Sequence, residues 1–335
     1  MKKSIVALAV LGAFAGAASA QSSVTIYGLL DMSVAKSNGG TSPNVGAPVG
    51  KAWTVQQSAG SRLGFRGNED LGGGLSAQFQ IEHRFNPDTG TQSNGTIFWA
   101  GRSYVQLTSA GTGSVYLGRD YSPIFWPAVK SDPFGWDGVG QIGSNAYAGY
   151  LTPDASAPNG GSGGVRTSNT VGVKSANFGG LTVQAAVGLS ENTNAGRTNG
   201  FNVEYSGGPL YAALGYEKVS KGFNDGRGVT NAALHYDLGV AKILGYYASA
   251  KIGAGGNTSS KMFSIGALAP VGPGNIKAQY FRVDPAGANN NLSKFGFGYD
   301  YALSKRTGLY ADLGLSKADG LTRNNAYAFG VKHTF

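Results

Sequence analysis

The chain has 335 residues, 27 Lys and Arg against 18 Asp and Glu, 55 glycines, three histidines and no cysteine. Its charged content of 13% is about half that of an ordinary soluble domain, yet its mean hydropathy of -0.13 is far too polar for a helical membrane protein. No cysteine means no disulfide framework and no thiolate metal site or nucleophile, and the formal +9 is spread one cation at a time rather than in the basic run of a nucleic-acid binder.

In chain order, Met1 to Ala20 reads as a secretory signal peptide. Lys2 and Lys3 form its positive end, Ile5 to Ala18 its apolar stretch, and Ala18-Ser19-Ala20 its cleavage site. The apolar stretch is shorter than the roughly 20 residues a spanning helix needs. The mature chain is expected to begin at Gln21, and loss of Lys2 and Lys3 lowers the formal charge from +9 to +7.

From Val24 onward the chain alternates. Val24, Ile26, Leu30, Met32 and Val34 share one face, and Thr25, Tyr27, Asp31 and Ser33 the other. Period two is the signature of a strand. The pattern recurs at Ser58 to Gly67, at Leu75 to Glu82, around Trp99 to Leu107 and at Ser114 to Tyr121, and it resumes near Arg166. Later strands are predicted at Val229 to Asp237, Ala241 to Ala250, Ser259 to Ala269, Asn275 to Val283, Leu292 to Tyr301 and Thr307 to Ser316. A terminal strand ends at Phe335. Short turns such as Gly207-Gly208-Pro209 take turns with longer polar loops. The tally is sixteen strands, seven short turns and eight long loops.

The long stretch from Ser122 to Val165 has no period, is rich in Gly, Pro, Asn and Ser, and still carries Trp126, Phe134, Trp136, Tyr147 and Tyr150. That aromatic load is too great for a solvated tail. It is expected to fold back into the cavity of a barrel.

One strand face stays apolar and the other is rich in Arg, Lys, Gln and Gly. A β-sandwich would need fewer strands and a core of larger side chains. A sixteen-stranded cylinder leaves an aqueous channel, with the polar face as lumen and the apolar face toward lipid or a neighbouring barrel. An open edge is intolerable in lipid, so the last strand must pair with the first. Parity sends Arg62, Arg66, Arg102, Arg166 and Lys174 toward the lumen. Arg119 shares parity with Val115 and Leu117, which points it at lipid unless a bulge intervenes. Gly28, on the apolar face, offers room for close approach of a neighbouring barrel.

The leader, the opening SSVTIYGLLD, the stretch SRLGFRGNEDLGGGLSAQFQIE, the VYLGRDYSP segment and the terminal Phe335 together resemble the general diffusion porins of Gram-negative outer membranes. The resemblance runs the length of the mature chain. It implies an all-β, sixteen-stranded antiparallel transmembrane barrel, a homotrimer, and a third loop, 122–165, folded inward. It places Arg62, Arg102 and Arg166 at the constriction and favours the lumen for Arg119. It also implies acidic groups on the folded loop, for which Asp132 and Asp137 are the candidates. The partners implied are outer-membrane lipid and lipopolysaccharide, small anions and hydrophilic solutes, with no nucleic acid and no cofactor.

His83, His235 and His333 lie far apart and form no metal or triad spacing, and GNEDLGGG is Gly-rich without a following helix. No enzymatic reading follows from them. The expectation is passive diffusion with anions preferred. The alternatives are a channel selective for one substrate such as a sugar, or a plugged structural or adhesive barrel.

Overall fold

The computed structural model describes residues 23–95, 97–150, 152–153, 162–190, 196–222, 224–252, 256–285 and 291–335. The predicted leader lies outside them, as do residue 151 and residues 154–161 of the long loop. Among the described residues sixteen long strands follow one another: β1 Ser23–Ser37, β2 Arg62–Gly72, β3 Leu75–Asn86, β4 Ser103–Ser109, β5 Gly113–Tyr121, β6 Arg166–Ser175, β7 Leu181–Gly188 and β8 Arg197–Gly207. The second half is β9 Leu210–Ser220, β10 Gly228–Asp237, β11 Lys242–Ile252, β12 Thr258–Val271, β13 Gly274–Pro285, β14 Leu292–Ala302, β15 Thr307–Ala318 and β16 Asn324–Thr334.

Every strand pairs antiparallel with its neighbour in sequence, and β1 closes the cylinder on β16 from Leu29↔Thr334 to Ser37↔Ala326. Closure satisfies each backbone group without water, which is the condition for crossing a bilayer with strands. Short and long connections alternate around the whole barrel, as the sequence predicts.

The alternation sorts as expected. Leu63, Phe79, Val105, Leu117, Val183 and Leu214 are exposed on the outer wall, while Asp31, Gln184, Asn202, Glu204 and Gln279 are buried inside. Tyr205, Tyr216 and Tyr236 are exposed among the outer apolar positions, as interfacial aromatic residues are.

Two local expectations are corrected. The strand predicted from Ser58 begins at Arg62 instead. Before it, side chains intercept the backbone groups: Ser58 donates its N–H to Asp31 Oδ1 at 2.8 Å, and Ser61 donates its N–H to Gln57 Oε1 at 2.7 Å. Gly28 offers no berth to a second barrel. The ring of Phe335 lies over it, so that an added Cβ would sit 2.2 Å from Phe335 Cζ. Backbone bonds between Gly28 and Phe335 hold the terminus there.

The long loop carries a short helix, α1 (Phe125–Lys130), and a 3-10 turn at Gly143–Tyr147. Its backbone is seated on the inner wall. Asn202 on β8 donates to Pro123 O at 2.9 Å, Asn231 on β10 to Ile124 O at 2.9 Å, and Tyr246 on β11 to Ala146 O at 2.9 Å. Gln279 on β13 donates to Gly140 O. Farther round, Val139 packs with Ala35, Ala326 and Ala328 of β1 and β16. The loop thus lies along the β8–β16 side and leaves the β2–β6 side facing open lumen. Glycines make the seat: a Cβ on Gly296 or Gly314 would fall 2.3 Å from Gly140 O or 2.0 Å from Val139 O.

Candidate pore constriction

The inner face of β2–β6 is where the cations collect. Arg62 and Arg84 stand directly opposite each other across β2 and β3. Such neighbours sit about 5 Å apart at Cβ, and like charges there repel. Glu82 relieves part of this by accepting from Arg84 Nε at 2.8 Å. Arg84 also donates to Gly60 O and, at 3.2 Å, to the Tyr121 hydroxyl. Arg166 donates to the same hydroxyl at 2.6 Å and lies over the Tyr121 ring at 4.2 Å. One phenol therefore ties β3, β5 and β6 together beneath two guanidinium groups.

Lower on the same wall, Arg102 makes a forked contact with Asp120, Nε–Oδ1 2.6 Å and Nη2–Oδ2 3.0 Å, and donates a third bond to Gln80. Lys174 reaches Asp120 Oδ2 at 2.9 Å. The fork orients Arg102 in a way a lysine would not reproduce. Arg66 lies over the Tyr27 ring at 5.4 Å.

Arg119 occupies neither the open lumen nor the lipid face. It is only 6% exposed, and its guanidinium donates to Ala100 O at 3.2 Å and Ser168 Oγ at 2.8 Å. The register shift between Thr167 and Thr170, with Asn169 at φ 53°, creates that niche.

The two loop acids part company. Asp132 is buried and accepts the backbone N–H groups of Phe134 at 2.9 Å, Trp136 at 3.1 Å and Ile142 at 2.9 Å. Burial pushes its carboxyl up to about 6, against those three donors. It organises the loop and contacts none of the arginines. Asp137 is half-buried and lies within electrostatic reach of Lys332 and Arg62. Burial pushes it up to about 7, and the two cations pull the other way.

The structure therefore brings Arg62, Arg102, Arg166 and Lys174 onto one wall with Arg66 nearby, and sets Arg119 and Asp132 in packing roles. It adds residues the sequence reading did not single out. The predicted strand Leu75 to Glu82 stops short of Arg84, whereas the observed strand continues to Asn86 and its alternation places Arg84 inward. Asp120 shares inward parity with Ser114 and Tyr116. Facing this wall, α1 presents Trp126, within 5.8 Å of the Arg102 guanidinium, and Phe125, stacked on Tyr121 at 4.0 Å between ring centroids. Lys130 on α1 pairs with Glu204 of β8.

A half-cylinder of arginines, a loop seated against the opposite wall and a closed sixteen-stranded ladder coincide with one family. Residues 7–321 match the Gram-negative porin family. The chain belongs to it. The outer membrane porin protein 32 of Delftia acidovorans is 35% identical over 350 residues, covering 99% of this chain and 95% of that one. An outer membrane porin of Bordetella pertussis is 29% identical, covering each chain in full. Among solved structures, the anion-selective porin from Comamonas acidovorans superposes with a TM-score of 0.80 at 29% identity, covering 94% of this chain and all of that one.

The porin is an outer-membrane channel, not an enzyme, and small hydrophilic solutes cross it by diffusion. In such barrels the short turns face the periplasm and the long loops the exterior.

Proposed function

We propose that the porin prefers anions, and that the β2–β6 wall is its selectivity element. The observation that carries this is the charge balance on that wall. Arg62, Arg66, Arg84, Arg102, Arg166 and Lys174 stand there against Glu82 and Asp120, with a third carboxylate, Asp70, farther along β2 at the short-turn end. A solute between wall and loop is within a Debye length, about 10 Å at 0.1 M salt, of several of these groups. Anions are drawn in and cations held off, in water, without a binding step. Asp137 on the loop side supplies the opposing charge, so polar solutes orient across the gap. The Comamonas relative described as anion-selective agrees with this reading.

The test is a reversal potential in planar bilayers across a KCl gradient. The expected sign is that of chloride as the favoured ion; potassium as the favoured ion overturns the proposal. Steady ohmic current, unaffected by micromolar sugar, separates the diffusion channel from a sugar-selective one.

Asp137 gives a pH dependence with a definite sign. Lowering pH from about 8 to about 6 passes through its raised value of about 7 and neutralises it. One negative charge leaves the gap, so the chloride preference is expected to rise as pH falls. Asp137→Asn is expected to show the acid-side preference at both pH values. Equal pH dependence in the variant would assign the titration to another group.

The porin is further proposed to lose residues 1–20 on export, to assemble as a homotrimer and to contact lipopolysaccharide. The trimer form reported for OmpT of Vibrio cholerae, a structural neighbour with a TM-score of 0.67, supports the same assembly here. Heat-dependent migration of the detergent-extracted, cross-linked protein tests it.

A further inference from the structure

A recess opens off the lumen where the inner wall of β6, β7 and β8 runs out toward the short turns. It has a volume of about 240 Å³, and its lining includes Trp126, Lys174, Thr182, Gln184, Asn202 and Glu204. The strand residues form two rows. Lys174 is opposite Gln184 and Gln184 opposite Asn202; one step nearer the short turns, Thr182 is opposite Glu204. These five share the inward parity of buried Gln184 and Asn202. Adjacent strands are about 4.8 Å apart, which puts the backbones at Lys174 and Asn202 roughly 10 Å from each other. Trp126 of α1 closes the recess from the loop side.

The two ends of the recess differ in charge. Lys174 shares Asp120 with Arg102, so two cations stand on one carboxylate and one positive charge is left over. Of the three ammonium N–H groups on Lys174, Asp120 takes one. Glu204, at the far end, is already satisfied. It pairs with Lys130 and accepts from the Tyr211 hydroxyl at 2.8 Å and the Asn202 amide at 2.9 Å. Trp126 supplies a flat apolar side. It is half-buried and held by T-shaped contacts with Tyr121 and Phe125, at 5.4 and 5.3 Å between ring centroids. An indole fixed in this way can pack a second ring without first losing its own freedom. Pockets for drug-sized molecules start at about 300 Å³, so this smaller one suits a single ring with a short substituent.

We propose that the recess is a transit subsite for an aromatic carboxylate, with the ring against Trp126 and the carboxylate on Lys174. The inference rests on the anion preference proposed above and goes beyond it. Chloride crosses without stopping, whereas an anion that carries a flat apolar ring has a place to pause. The surplus cation selects the charge and the indole selects the ring. Binding is weak, because a site in a conducting path has to release what it holds.

The test is the current through single porin channels in planar bilayers at pH 8, where a carboxylate is ionised, with benzoate added to the KCl on one side. Benzoate is expected to interrupt the current, with half-block at roughly 1–10 mM. Three probes at the same concentrations are expected to leave it uninterrupted: acetate, which has the charge without the ring; benzyl alcohol, which has the ring without the charge; and galacturonate, whose ring is not aromatic. Half-block by acetate or galacturonate in the same range overturns the indole platform, and half-block by benzyl alcohol overturns the lysine contact. Trp126→Ala and Lys174→Gln are each expected to raise the half-block concentration roughly tenfold, the scale of one aromatic or charge-assisted contact. Trp126→Tyr keeps a ring at the site and is expected to keep the block. Half-block unchanged in both Trp126→Ala and Lys174→Gln overturns the proposal. The probe series on the unsubstituted porin decides the matter even where a variant fails to assemble. A reversal potential on the same channels separates the subsite from the reading it rests on: chloride preference with no interruption by benzoate strikes out the subsite and leaves the selectivity.

Discussion

Replacing Arg84 and Arg166 together by alanine is expected to lower the chloride-over-potassium permeability ratio roughly tenfold, with conductance unchanged or raised. The magnitude follows from Coulomb's law. One unit charge about 6 Å from a solute in water is worth about 0.7 kcal/mol, less after screening. Each arginine acts twice, attracting the anion and repelling the cation, so two of them shift the ratio by roughly an order of magnitude. These two are chosen because Arg166 has no carboxylate partner among the described residues, its guanidinium donating to the Tyr121 hydroxyl, and because Arg84 shares Glu82 with the Tyr27 hydroxyl at 3.1 Å. Arg102 and Lys174 both lean on Asp120, and removing either leaves that carboxylate to the other. Arg84→Lys with Arg166→Lys keeps the charge and discards the fork, and should retain most of the preference. A ratio unmoved by the alanine pair would take the β2–β6 wall out of selectivity.

How much of this was legible in the sequence depends on the length of each regular segment. From β10 to β16 the strands run ten or more residues without interruption, and their predicted bounds fall within a few residues of those observed. Parity there is strict because a slip of one residue would put every polar side chain into lipid. The β2–β6 region is different. Its strands are as short as Ser103–Ser109, and side chains such as Asp31 and Gln57 replace ladder bonds ahead of β2. Arg84 was hidden because Asn86-Pro87-Asp88 reads as the start of a loop, while the strand continues up to it. Arg119 was undecidable by parity, since its surroundings depend on a bulge in the partner strand β6. Asp132 illustrates a different limit. A carboxylate in a Gly-rich loop opposite arginines invites an ion-pair reading, but its three backbone partners are set by the loop's own turns, which no spacing reveals. The inner-wall glycines were visible as composition only; their purpose needed the loop's path.

That path gives the second large effect. Gly296→Val combined with Gly314→Val is expected to drive the long loop off its seat and open the pore. A Cβ at either site would lie 2.3 or 2.0 Å from a loop carbonyl oxygen, and the obstacle is backbone, so no side-chain rotation relieves it. Losing the seat frees Phe134 and Val139 from burial, about 3–6 kcal/mol of docking free energy for two such side chains. It also breaks the bond from Gln279 to Gly140 O. The strand ladder is untouched, because neither valine blocks an interstrand bond and β-branched residues suit strands. The variant should therefore keep its β-sheet circular dichroism while single-channel conductance rises and larger sugars enter in liposome swelling. Gly245→Ala, on the outer wall with only Leu234 O at 3.3 Å, is the matched control. Unchanged conductance and size cut-off in the paired valine variant would mean that the loop does not narrow the lumen from the β8–β16 side, and the arginines of the opposite wall would then face a wide channel in which their field is screened.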